Sequence, residues 1–116
     1  MLQGGYSLGT DRPAIEGYKD ERSISQLEMS LNLILQDAGK LLLKKHEAYG
    51  PKNISQAPGG PLNGLRVRMW DKMARLNHII ENPEVDTNDE SMRDTLIDLL
   101  NYSAIAILVL EGDWPQ

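Results

Sequence analysis

The sequence predicts an all-α protein, a small helical bundle of three long helices completed by oligomerisation. Apolar residues recur in steps of three and four along two long segments, the spacing of one helical face. A third segment is of helix length, and its second half, Ala104 to Leu110, is apolar on every side. No stretch shows a strand pattern of comparable strength, and there is no internal repeat. At 116 residues the chain has room for one core and not for a second.

Residues 1–23 read as an irregular N-terminal arm, punctuated by Gly4, Gly5, Gly9, Pro13 and Gly17, with Tyr6, Ile15 and Tyr18 as candidate anchors. The domain follows over 24–112, and 113–116 form a tail. The first helix is expected at 24–48. Ser23 or Ser25 caps it, and Ile24, Leu27, Leu31, Ile34, Ala38 and Leu41 form its stripe. Gly50-Pro51 is a stop signal. Residues 51–62 carry three prolines and two glycines and are expected to be a loop without regular structure. They contain no GKS or GKT, so a phosphate-binding Walker loop is not supported.

The second helix is expected at 63–81, with Asn63 as cap and Leu65, Met69, Met73, Leu76 and Ile80 on its buried face. Asn82-Pro83 ends it. The third is expected to start near Asp89, capped by Thr87 or Asn88, and to stop at Gly112. A helix that is apolar all round is a central one. With only three long helices to surround it, its extra surface is expected to meet a second subunit.

Composition narrows the function classes. Aromatics are 5% and Phe is absent, so the core is aliphatic. Without Cys there is no disulfide, thiolate zinc site or Cys nucleophile. A cytoplasmic location fits this and the absence of a signal-peptide pattern. The longest apolar run is far short of the ~20 residues that span a bilayer. The net charge of −5 argues against general nucleic-acid binding.

The charge is unevenly distributed. Residues 40–75 hold Lys40, Lys44, Lys45, Lys52, Arg66, Arg68, Lys72 and Arg75 against Glu47 and Asp71. Residues 81–98 hold seven acids against Arg93. A basic section for anions beside an acidic section for cations suits a metal–nucleotide site. It equally suits two segments that neutralise each other.

Glu90, Asp94 and Asp98 stand four residues apart, one turn above each other on a helix. Like charges so placed repel by a few tenths of a kcal/mol (roughly 0.2–0.5) per pair. They need either water or a cation, and Mg²⁺ is the hard cation that binds through carboxylates and phosphates. The plainer reading is that acids near a helix start favour its dipole. Asp98, however, leads into an apolar run, where a charge is expected to be paired or ligated.

Three blocks of sequence resemble a known family: Lys45-His-Glu-Ala-Tyr49-Gly50, then Asp71-Lys72-x-x-Arg75-Leu76, then Glu90-x-x-x-Asp94-x-x-x-Asp98-x-x-Asn101-Tyr102. Over residues 40–112 the chain resembles the phage and bacterial nucleotide modification associated domain 1 proteins. These are similar in turn to the all-α nucleoside triphosphate pyrophosphohydrolases, the MazG and dimeric dUTPase group. The resemblance implies a helical bundle that forms homo-oligomers, a nucleotide partner, and the cytoplasm of a host if the chain is phage-encoded. Asp98 matches the Asp of the group's second acidic pair. Thr95 stands where the group has Glu, and the first helix carries no ExxE.

Three functions follow. In the first, Glu90, Asp94 and Asp98 hold Mg²⁺ and are catalytic, and a nucleoside triphosphate is split into monophosphate and pyrophosphate. Lys45, Arg68, Lys72 and Arg75 then meet phosphate, while Tyr49, Asn101 and Tyr102 meet sugar or base. In the second, the same basic face binds and sequesters a nucleotide, a signalling nucleotide among the options, without turnover. In the third, the chain is a structural helical oligomer. Asn101 is alternatively a buried helix–helix hydrogen bond, and Tyr102 a core residue with its hydroxyl at the rim. His46 is expected at the surface, Trp70 beside Met69 and Met73, and Trp114 in the tail.

Overall fold

The computed structural model describes residues 21–85 and 90–116, with side chains from Ile24 onward. It is all-α: α1 is Glu21–Tyr49, α2 Lys52–Ser55, α3 Pro61–Glu81 and α4 Met92–Leu110. There is no strand among the described residues. The predicted arm over 1–20, with Tyr6, Ile15 and Tyr18, lies outside them, as do Thr87, Asn88 and Asp89. No helix among the described residues is long and apolar enough to cross a membrane.

The chain divides into two units, Met1–Ile34 and Leu35–Gln116. In the first, α1 begins at Glu21, earlier than the predicted position 24. Its Leu27, Met29, Leu31, Leu33 and Ile34 are all exposed.

The second unit holds the rest of α1, the other three helices and the tail. Its buried cluster is Ile54 of α2, Leu65 of α3, Ile105 of α4 and Trp114, with Leu42 and Tyr102 packed against it. The stretch 51–62 is less irregular than its prolines and glycines suggest, because α2 forms one helical turn that brings Ile54 into this cluster. Pro61 opens α3 instead of Asn63, a favourable place since its missing N–H is not needed in the first turn. Gly64 follows because the helix passes close to that loop: a Cβ there would stand 2.6 Å from the Ala57 Cβ.

The predicted buried face of α3 is only partly buried. Leu65 is enclosed, whereas Met73 and Ile80 are exposed. Trp70 is 66% exposed and does not shelter beside the methionines. It lies five residues from Leu65, about 140° round the helix, and so points away from the cluster.

The start of α4 differs from expectation for a specific reason. Ser91 is the N-cap, and its hydroxyl accepts from the Asp94 N–H at 3.0 Å. The Asp94 carboxylate accepts from the Ser91 N–H at 3.3 Å, closing a capping box. Glu90 therefore precedes the helix and is not part of it. At the other end Gly112, at φ +78°, adopts a conformation that only glycine enters freely. It reverses the chain so that the Asp113 N–H reaches the Leu108 carbonyl at 2.8 Å and Trp114 turns back into the core.

Candidate functional site

Two adjoining arrangements hold most of the predicted site residues, and Asp98 belongs to both. The first is an ion cluster between α3 and the start of α4. Lys72 Nζ lies 2.9 Å from Glu90 Oε1, 3.1 Å from Glu90 Oε2 and 2.9 Å from Asp98 Oδ2. Asp98 Oδ1 takes a further bond from Lys45 at 3.2 Å. Arg75 donates to the Glu90 carbonyl at 2.6 Å, and its Nε stands 3.8 Å from Oε1 of the same residue. Thr95, fully buried, donates its hydroxyl proton to Glu90 Oε2 at 2.6 Å.

These contacts bias the protonation states. Burial opposes the charge on Lys72, but its bonds to Glu90 and Asp98 outweigh that and hold its pKa above the ordinary lysine value. Burial also pushes Glu90 upward. The hydrogen bonds from Thr95 and Lys72, together with the lysine's charge, outweigh it and hold Glu90 below the usual carboxylate range. Both side chains are about one-fifth exposed, so the pair is partly sheltered and only partly screened by water.

The second arrangement is a cleft of about 390 Å³ beside this cluster. Lys45, His46 and Tyr49 reach it from the end of α1, Arg68 from α3, and Asp98, Asn101 and Tyr102 from α4. Tyr49 is exposed at the rim. Asn101 is buried and donates to the Ala38 carbonyl at 3.0 Å, so its amide joins two helices as well as lining the cleft. Arg68 donates to the backbone carbonyl of Asn53 at 3.3 Å. Its charge meets no carboxylate among the described residues.

Of the predicted residues, the cleft therefore gathers Lys45, Tyr49, Arg68, Asp98, Asn101 and Tyr102. Glu90, Lys72 and Arg75 form the neighbouring cluster. Asp94 belongs to neither, since its carboxylate caps α4. Arg68, Lys72 and Arg75 share a helix face but are divided between the two arrangements.

Two cleft residues had been assigned elsewhere. Trp114 is a wall and not merely tail: its indole N–H donates to the Pro51 carbonyl at 3.2 Å. His46 is half-buried against it, ring centroids 5.1 Å apart and planes at 74°. Its Nδ1 is enclosed without a hydrogen-bond partner among the described residues. The sequence signal for Trp114 was its place two residues after a glycine helix stop, which returns the chain toward the bundle.

Magnesium was expected at Glu90, Asp94 and Asp98. As they stand these residues do not fit a divalent ion. An ammonium already lies between Glu90 and Asp98, and Asp94 is engaged in its cap. A divalent ion enters this pair only by displacing Lys72.

No family model, curated protein or solved structure matches this chain. The class that fold and site define is an all-α protein with a cation-bearing, aromatic-rimmed cleft.

Proposed function

We propose that the chain is a nucleotide-binding protein that holds its ligand in this cleft without needing a divalent metal. The observation that carries the reading is Arg68, a guanidinium on the cleft wall with a backbone carbonyl but no carboxylate as partner among the described residues. A planar guanidinium suits phosphate because it gives paired hydrogen bonds. Lys45 supplies a second cation, and it is free to swing because its side chain is 47% exposed while Asp98 keeps Lys72 as partner. Tyr49, Tyr102 and Trp114 offer aromatic surface for a base, a type of contact worth about 1–3 kcal/mol per base in nucleic-acid complexes. The volume lies within the usual range for small-molecule sites, about 300–1,000 Å³.

Hydrolysis of a nucleoside triphosphate to monophosphate and pyrophosphate is the second reading, favoured by Asp98 on the cleft wall. A homo-oligomer in the cytoplasm belongs to both readings. Support for association is, taken separately, the exposed apolar side chains of α1 and, in the second unit, the exposed Ile107 and Leu110 of α4, since exposed apolar surface marks association sites.

Calorimetry of the purified chain against nucleotides, with and without Mg²⁺, tests the proposal, with released pyrophosphate assayed in the same samples. Metal-independent binding with the nucleotide recovered intact is the expected result. Mg²⁺-dependent pyrophosphate release would put hydrolysis in its place. No binding under either condition would leave a structural oligomer.

A further inference from the structure

The charges around the cleft limit the anion it holds. The cleft wall and the adjoining cluster together carry four cationic side chains, Lys45, Arg68, Lys72 and Arg75, against two carboxylates, Glu90 and Asp98. With histidine counted as neutral, the excess among these described residues is two positive charges. It is unevenly spread. Lys72 and Arg75 are taken up by the carboxylates, so the surplus falls on Arg68 and on Lys45, which shares Asp98 with Lys72.

One guanidinium and one movable ammonium make a place for one phosphate. A phosphate monoester carries about −1.5 to −2 near pH 7, which matches that surplus. Each further phosphate in a chain brings more negative charge, and no other lysine or arginine lines the cleft among the described residues to meet it. Asp98 works in the same direction. Lys72 holds its carboxylate at 2.9 Å, so a negative charge stays in the cleft lining when Lys45 turns to a ligand. Like charges brought together in a partly sheltered place repel strongly. Size agrees, since about 390 Å³ lies toward the small end of the usual range of about 300–1,000 Å³ for small-molecule sites.

Resting on the nucleotide-binding reading above, we infer that the ligand is a nucleoside monophosphate and that Asp98 is the residue that rejects longer phosphate chains. Arg68 receives the phosphate on its paired N–H groups, and Lys45 leaves Asp98 to join it. Lys72 is the positioning residue that keeps Asp98 in place as a fixed negative charge.

The test is titration calorimetry of the full chain with EDTA present, so that no metal neutralises the phosphates. The probes are the nucleoside and its mono-, di- and triphosphate for each common base. For the base that binds, the monophosphate is expected to bind about tenfold or more tightly than both the nucleoside and the triphosphate. Asp98→Asn is expected to remove most of the preference over the triphosphate. Replacing EDTA by Mg²⁺ should tighten the triphosphate on wild type and leave the monophosphate unchanged, because the metal neutralises the longer chain. A triphosphate or a bare nucleoside bound as tightly as the monophosphate, without metal, would overturn the inference. An unchanged preference in a folded Asp98→Asn chain would remove Asp98 from its role. If that variant does not fold, a triphosphate indifferent to Mg²⁺ does the same, since size and not charge would then be what rejects it. A triphosphate preference sinks this inference and keeps the nucleotide-binding reading, whereas silence toward every probe defeats that reading itself.

Discussion

The cluster around Lys72 and the cleft beside it are built from the same kinds of residue and put them to opposite use. In the cluster both carboxylates meet cations and the buried Thr95 hydroxyl is bonded, with the enclosed Arg75 Nε alone lacking a hydrogen-bond partner among the described residues. In the cleft, among the described residues, Arg68 meets a carbonyl and no carboxylate, and His46 keeps an enclosed nitrogen without a hydrogen-bond partner. A charge already paired mainly supports the fold, because any ligand must first break bonds already made. An unmatched charge in a concave site mainly supports binding, because a ligand supplies the bond that is missing.

The sharpest way to break this contrast is to remove what the two regions share. Trp114→Ala takes away a core residue that is also a cleft wall. It is expected to lower stability by about 3 kcal/mol and to weaken ligand binding, both seen in denaturant melts with and without nucleotide. Arg68→Ala sharpens the contrast from the other side. Ligand affinity should fall about tenfold or more, with little change in melting; a large loss of stability with affinity unchanged would place Arg68 in the scaffold. Ser91→Ala touches neither region directly. It removes the cap of α4 and should cost about 1 kcal/mol, read as a shift in the urea midpoint, with the ligand constant unchanged.

The smallest expected effect is on the pH profile, and it belongs to the cluster alone. Folding lowers the pKa of Glu90, so its contribution is complete above its ordinary value of 4.5 and is lost as pH falls through the folded value. Folding raises the pKa of Lys72, so its contribution is complete below the ordinary 10.5 and is lost as pH rises through the folded value. The contribution of this pair to melting temperature should therefore be flat between these limits, and Glu90→Gln should soften the acid limb only.

The helices were legible because their signals are local. The three-and-four spacing marks α1 and α3, and Gly50, Pro83 and Gly112 mark where helices stop. The start of α4 was not legible, since Thr87, Asn88 and Ser91 are all acceptable caps. Only the reciprocal bond from Ser91 to Asp94 decides among them, and that bond makes Asp94 a cap. The basic face of α3 was legible as a face, but helical spacing says nothing of what lies opposite. Lys72 and Arg75 meet Glu90 across a tertiary contact, while Arg68 meets the α2 turn. The pairing of His46 with Trp114 was invisible for the same reason: it joins distant parts of the chain through the turn at Gly112.

That pairing gives the molecule an optical property. The chain has two indoles, and the fold separates their surroundings: Trp70 stands in water, while Trp114 is buried with an imidazole edge against it. Emission from Trp70 is a solvent-like background. Emission from the buried Trp114 is expected to be bluer, so light from one residue follows the packing of the cleft wall without any added label.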